Sequence, residues 1–255
     1  MDLSIIVVNY KSKTKLLNCL ASIKTSDLSG INYEIIVVEN ASGDDLSDLQ
    51  SDCKLIFSEH NLGMGGGNNL GIRNASGEYI LISNPDIVYS PNTIKELFNY
   101  LKSNSQVKII APKLFNPDGS LQYSCVRFPK LYIPLLRRTY LGRFFPSTLS
   151  HYLMKNDQHN EVAEVDWLLG ACLMTKNPRT NLFDERYFMY FEDVDLCRQF
   201  KESGGKVIYY PLVSVIHDHV RASAQKSWLL ALFRDSLARE HLKSALRYFY
   251  KWRFK

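Results

Sequence analysis

The densest set of reactive side chains in the 255-residue chain is the run Phe188-Met189-Tyr190-Phe191-Glu192-Asp193-Val194-Asp195. Three carboxylates fall within four positions, directly after bulky apolar residues and at an expected helix start. A helix N-terminus accounts for one or two acids through its dipole. It does not account for the aromatic run before them, which sets the first acid beside a buried wall, where a carboxylate can act as a general base. A second candidate is Asp86 in Asn84-Pro85-Asp86. A carboxylate held there by proline can bind Mg2+ or Mn2+ between itself and a diphosphate, because hard cations share oxygen ligands with phosphates. Taken alone, an Asp in a turn is more often structural. His217 and His219 follow an apolar strand and are candidates for metal binding or acid–base work. The run from Asn61 to Asn69 carries Gly63, Gly65, Gly66 and Gly67. A dinucleotide fingerprint would follow the first strand, and here that strand ends in Asn9-Tyr10-Lys11. The run is expected to be a flexible loop opening a helix, whose N–H groups approach a substrate closely.

These residues share a place because of the elements between them. Residues 3–8, 34–38, 54–57, 79–82 and 108–111 are short, β-branched and bounded by turn formers, and are expected strands. Residues 13–24, 44–50, 67–75 and 91–102 are expected helices. Such alternation predicts a mostly parallel sheet flanked by helices, an α/β fold in which ligands sit at the carboxyl ends of the strands. Asn9-Tyr10, Glu39-Asn40-Ala41-Ser42, the glycine run and Asn84-Pro85-Asp86 follow four consecutive strands. They therefore meet on one rim.

The second half is less regular. Residues 112–119 suggest strand, turn and strand around Asn116-Pro117-Asp118-Gly119. Residues 130–160 show no period, carry Arg137, Arg138 and Arg143 among aromatics, and are expected to be a variable or mobile insert. A strand over 165–175 is interrupted at Gly170, and a helix over 192–203 is ended by Gly204-Gly205. Strands at 206–210 and 213–216 precede one long helix over 224–250.

Composition narrows the class. Apolar content of 45% and charged content of 22% are ordinary for a globular domain. The net charge of +5 is uneven: residues 219–255 hold nine Lys/Arg against two Asp/Glu, and the remainder is slightly acidic. That argues against a general nucleic-acid binder and for one local anionic contact. Leu3 to Val8 is too short for a signal peptide or a membrane span, so a cytoplasmic location is expected. Cys19, Cys53, Cys125, Cys172 and Cys197 form no CxxC pair and are expected as reduced thiols, mostly in the core.

On these residues the chain resembles family-2 glycosyltransferases, and within them the bacterial rhamnosyltransferase-like group. The marks are Ile5 to Tyr10, Val38 to Ser42, the glycine run, Asn84-Pro85-Asp86, Asn116 to Ser120, Asp166 to Ala171, Phe188 to Leu196 and Pro211 to His217. The resemblance implies a GT-A domain over 1–223, with a nucleotide-sugar half over 1–112 and an acceptor half over 113–223. A basic amphipathic helix over 224–255 follows. It implies Asp193 as the base, with Glu192 beside it, and Trp167 and Gly170 on the acceptor side. Asn9, Tyr10, Glu39, Asn68, Asn84 and Asp86 are implied on the nucleotide sugar, and Asp86 and His217 on a divalent cation, Mg2+ or Mn2+, with His219 the weaker candidate. The chain departs from the family at Asn84 and Glu39, where relatives usually carry Asp, and at Asn68, where many carry Arg. The segment from Lys176 to Asn181 is shorter than usual.

The implied reaction is metal-dependent, inverting transfer of L-rhamnose from dTDP-L-rhamnose to a saccharide or lipid-linked saccharide in cell-surface polysaccharide synthesis. A sugar nucleotidyltransferase is the rival, but it would want glycines after the first strand. A catalytically inactive nucleotide-sugar-binding scaffold is the other. The basic tail, with Trp228, Leu229, Leu232 and Phe233 among its cations, fits two arrangements. It can lie on an anionic membrane surface as a peripheral anchor at the inner face of the cell membrane, or against the catalytic domain with a solvated basic face.

Overall fold

Residues 3–8 are apolar on both faces instead of alternating, as a parallel strand covered by helices on both sides requires. In the computed structural model, which describes residues 1–157, 159–218 and 236–253, they lie inside one large twisted sheet. The first half runs β1 (Leu3–Asn9), α1 (Lys13–Lys24), β2 (Tyr33–Glu39), β3 (Lys54–Phe57), α2 (Gly63–Arg73), β4 (Tyr79–Ser83), β5 (Ile87–Tyr89) and α3 (Thr93–Ser103). The second half runs β6 (Val107–Phe115), β7 (Leu121–Gln122), β8 (Cys125–Val126), α4 (Ile133–Arg138), α5 (Pro146–Tyr152), β9 (Ala163–Glu164), β10 (Trp167–Leu168), β11 (Cys172–Lys176), α6 (Glu192–Glu202), β12 (Lys206–His217) and α7 (Ser236–Lys251). The sheet order is β3-β2-β1-β4-β11-β6-β12-β5. Its first four strands are parallel, and β11 runs antiparallel between β4 and β6. One apolar cluster fills each face.

Several expectations change. No α-helix forms over 44–50; only a single 3-10 turn, Ser47–Leu49, does. Its acids make turns instead, with Asp45 accepting from the Ser47 N–H and Asp44 from the Ser12 N–H. The glycine run is not a flexible loop. It is helix from Gly63 onward, and its glycines are buried contacts. A Cβ on Gly71 would stand 2.5 Å from Ile6 Cγ2, and one on Gly67 would stand 2.9 Å from Val8 Cγ1. The helix thus lies directly on β1. Gly71→Ala is expected to cost about 1–3 kcal/mol in urea unfolding through this overpacking. An unchanged midpoint would mean that α2 can slide off the strand.

The two strands expected at 206–216 are one, with Pro211, Leu212 and Val213 bulging between Tyr210↔Pro112 and Ser214↔Lys113. The aperiodic insert resolves into α4, a 3-10 helix (Tyr140–Phe144) and α5. Of the expected long C-terminal helix, residues 224–235 lie outside the described residues, as does His219. The described part, α7, packs on the domain. Ala238, Ala245 and Tyr248 are buried, Ser244 donates to Met189 O at 2.9 Å, and Lys251 Nζ and Trp252 Nε1 donate to Asp195 at 2.7 and 2.8 Å. Among the described residues no helix is long and apolar enough to cross a membrane. The five cysteines are free thiols, four of them buried.

Candidate active site

Parallel pairing sets the rim. Asn9 stands opposite Glu39, and Val7 opposite Ser83, so Asn9, Glu39 and Asn84 end three adjacent strands. Asn9 Nδ2 donates to Asp44 at 2.8 Å, and Glu39 Oε1 accepts the Ser42 N–H at 2.7 Å and its hydroxyl. Asn40 bonds Asn61, Leu62 and Gly63, stapling the glycine helix to the end of β2. Tyr10 is exposed on the rim. Asn68 is buried within α2, where its Nδ2 donates to Met64 O at 2.9 Å.

At the other end of the rim, β12 pairs with β5 and sets His217 opposite Ile87, beside Asp86. His217 is buried, and its Nε2 lies 3.3 Å from Asp86 Oδ1. Its Nδ1 meets Gln122 Oε1 at 2.7 Å, while Gln122 Nε2 donates to Asn116 Oδ1. With the amide oxygen facing the ring, Nδ1–H is the donor, and Nε2 is the nitrogen that faces Asp86. Gln122 was not singled out in the sequence. The turn Asn116 to Gly119 carried the signal, since a hairpin there sets Gln122 opposite Leu114. Among the described residues no three His, Cys, Asp or Glu side chains gather as a metal cluster.

Asp193 sits in the first turn of α6, buried. Its carboxylate accepts the Gly170 N–H at 2.9 Å and the Val194 N–H at 2.8 Å. Burial pushes its pKa up to about 6, against the lowering effect of those N–H bonds. Glu192 is pushed up to about 8 by burial first and by the Asp193 charge second. Gly65 in α2 lies against it. The next residue after Gly170 ties this acid to the rim: Ala171 O accepts the Asn84 N–H at 2.8 Å. Two consecutive backbone groups thus hold the buried carboxylate and the Asn84-Pro85-Asp86 turn together. A side chain at Gly170 would crowd the acid, since a Cβ there would stand 3.2 Å from Asp193 Cβ and the carboxylate would have to shift by a few tenths of an ångström.

The acidic cluster is divided by the fold. Asp195, two positions on, turns away and is fully buried against Lys251, Trp252 and Gln199. The division follows from helix geometry, because positions 193 and 195 of α6 do not share a face. Tyr190 and Phe191, which lead into the helix, are both left-handed at φ 69° and 67°, strained conformations for aromatic residues. The Phe191 ring packs on Tyr248 and Phe249 of α7, so the C-terminal helix braces the turn that aims Asp193. Trp167 is buried, with its Nε1–H on Arg127 O at 2.9 Å, in the wall behind Gly170. The insert also reaches this wall, which the sequence did not reveal: the Arg127 that holds Trp167 donates its own N–H to Tyr152 O at 3.0 Å, and the Arg137 guanidinium lies 5.7 Å from the centre of the Tyr152 ring.

The sequence profile of Glycosyl transferase family 2 matches residues 4–155. A low-salt glycan biosynthesis hexosyltransferase of Haloferax volcanii is 30% identical over 227 residues, 85% of this chain and 67% of that protein. The rhamnosyltransferase WbbL of Escherichia coli is 27% identical over 96% of this chain and 91% of its own length. An N-acetylglucosaminyl-diphospho-decaprenol L-rhamnosyltransferase of Mycobacterium tuberculosis is 29% identical over 58% of this chain, which spans only 49% of that protein. Among solved structures, GalNAc-T7 with UDP, GalNAc and Mn2+ superposes at a TM-score of 0.70 with 13% identity, over 99% of this chain and 48% of that one. The mannosyltransferase PcManGT from Pyrobaculum calidifontis, in complex with GDP-Man and Mn2+, gives 0.61 with 17% identity, over 96% of this chain and 64% of that one. At such identities these two likenesses show the fold, the GT-A arrangement.

Proposed function

The chain belongs to glycosyl transferase family 2, and from that premise we propose that it transfers a hexose, L-rhamnose from dTDP-L-rhamnose, to a saccharide or lipid-linked saccharide acceptor with inversion. The observation that carries this reading is the Gly170-Ala171 bridge, which holds the buried Asp193 carboxylate beside the Asn84-Pro85-Asp86 turn. An acceptor hydroxyl next to Asp193 loses its proton to that carboxylate as its oxygen attacks the anomeric carbon. The bond to the diphosphate breaks on the opposite face, and a single displacement inverts the centre. Burial holds both Glu192 and Asp193 above the usual carboxylate range, and the charge of each raises the other's need for a proton, so the pair resists carrying two negative charges side by side. Asn9, Tyr10, Glu39 and Asn68 belong to the nucleotide side in this reading, and Trp167 backs the acceptor side.

The residues present fit a divalent cation, Mg2+ or Mn2+. His217 Nε2 and Asp86 Oδ1 converge, and Gln122 orients the ring so that Nε2 faces Asp86. Two protein ligands leave the remaining positions to diphosphate and water oxygens, as Mg2+ sites commonly do. When bound, the ion would act as a Lewis acid toward the charge that grows on the leaving diphosphate. Gln122→Leu is expected to weaken Mn2+-dependent diphosphate binding about 10–100-fold, because the imidazole loses its orienting partner. Calorimetry with and without Mn2+ reads this, and equal affinities would remove Gln122 from the site.

The experiment that tests the whole reading is donor turnover across a panel of nucleotide sugars, with and without divalent cations. Rhamnosyl turnover above that of the other donors supports it. Turnover of a sugar 1-phosphate with a nucleoside triphosphate would favour a nucleotidyltransferase, and no turnover of any donor would favour a binding scaffold. The Mycobacterium tuberculosis relative is named for a diphospho-decaprenol acceptor, which supports a lipid-linked acceptor here, and with such an acceptor the site of action in this reading is the inner face of the cell membrane.

A further inference from the structure

Exposed apolar side chains scattered singly are ordinary, but a contiguous set marks an interaction surface. One stretch of this molecule concentrates them: Leu131, Tyr132, Leu135, Tyr140, Phe144 and Phe145 all stand in solvent. Leu131 is 69% exposed, Tyr140 68% and Phe144 71%. They are not there because the segment is unstructured. Ile133, Leu136, Gly142 and Tyr152 anchor it from beneath, so α4 and the 3-10 helix after it are folded to present these residues outward.

Charge identifies the partner. Between Asp118 and Asp157 the sequence has no acidic residue and six cations; Arg127 pairs with Asp157, and Lys130, Arg137, Arg138, Arg143 and Lys155 are the others. The Arg143 guanidinium lies 4.1 Å over the Tyr140 ring and bonds its hydroxyl. Rings and leucines among cations without acids match the headgroup boundary of an anionic bilayer, where apolar groups enter the acyl edge and cations meet lipid phosphates. A second copy of the chain is disfavoured, because it would set like charges against like. The tail is the weaker claimant, since α7 spends one face on the catalytic domain.

We propose that the 131–145 surface is the face by which this protein lies on an anionic lipid bilayer. The underside of the same insert is tied to the acceptor side of the site: Tyr152 O accepts the Arg127 N–H at 3.0 Å, and Arg127 O accepts Trp167 Nε1–H at 2.9 Å. That last link rests on the transfer reading above; the docking does not.

Flotation with phosphatidylglycerol-containing vesicles, against pure phosphatidylcholine vesicles, tests it. The wild-type chain is expected to bind the anionic vesicles, less so at high salt, and to ignore the neutral ones. Tyr140→Ser/Phe144→Ser/Phe145→Ser should lose at least about tenfold of the binding. Lys130→Gln/Arg143→Gln should lose about fivefold per cation. Leu242→Ser/Leu246→Ser on α7 should bind as wild type. Circular dichroism checks folding, and if the triple variant does not fold, the charge variant decides. The proposal is overturned if both folded insert variants bind like wild type, if neutral vesicles bind equally well, or if only the α7 variant loses binding. A wild-type dimer that the triple variant dissociates, with vesicle binding unchanged, overturns it in favour of self-association. Hydrolysis of a soluble donor should be the same in all variants; absence of donor turnover in the wild type would sink the transfer reading and leave the vesicle result standing.

Discussion

Asp193→Asn is expected to lower sugar transfer by about 10²–10⁴-fold, the usual range for removing a general base, while donor binding stays near wild type. The exchange keeps the shape of the side chain, but the amide oxygen can accept only one of the Gly170 and Val194 N–H groups, so circular dichroism and donor binding must match wild type before the loss is read as proton transfer. Burial raises the wild-type carboxyl to about 6, so kcat/KM should fall as pH drops through that value. The variant should lack this limb. The same shift has a stability consequence. Asp193 and Glu192 bind protons more tightly in the folded chain than in the unfolded one, where 3.8 and 4.5 apply. Their protonation therefore stabilises the fold at low pH. That contribution is lost as pH rises from about 3.8 to about 6 for Asp193 and from about 4.5 to about 8 for Glu192. At pH ~8 the variant should melt close to the wild-type temperature, since it no longer buries that charge but leaves one of the two N–H groups without an acceptor. Transfer within a few-fold of wild type would show that another group takes the proton.

Asp86→Ala and His217→Ala should each weaken Mn2+-dependent binding of the nucleoside diphosphate by on the order of a hundredfold, and leave metal-free binding unchanged. The two side chains converge on one point 3.3 Å apart. Acting through one ion, they should be non-additive, and the double variant should be little worse than the worse single one. Titration of the diphosphate against each protein, with Mn2+ and with a chelator, separates the outcomes. Equal affinity in Asp86→Ala would remove the acid from the site. His219→Ala is expected to have the smaller effect of the two histidines, and the reverse order would transfer the assignment to His219.

The sequence by itself determined the four parallel strands of the first half. Apolar runs at 5–8 and 79–82 are satisfied inside a sheet covered on both faces, and the boundaries of α1 and β3 follow from local turn formers. It also determined the rim, because parallel strands deliver their carboxyl ends to one side whatever the loops do. Local pattern misjudged the glycine run. Glycine's low helix propensity argues for a loop, whereas burial of α2 against Ile6 and Val8 demands residues without a Cβ.

Tertiary structure alone decided what the acids of the run meet. The helix expected at 192–203 already sends positions 193 and 195 to different faces, but only the docking of α7 brings Lys251 and Trp252 to Asp195, and only the turn before β11 brings the Gly170 N–H to Asp193. Gln122 and His217 are 95 positions apart, and only the pairing of β7 and β12 with β6 brings them within hydrogen-bond distance. The insert is the clearest case. Its residues have no period because each short helix buries a few anchors and turns the rest outward. Which rings face water is decided by that packing and is absent from the linear pattern.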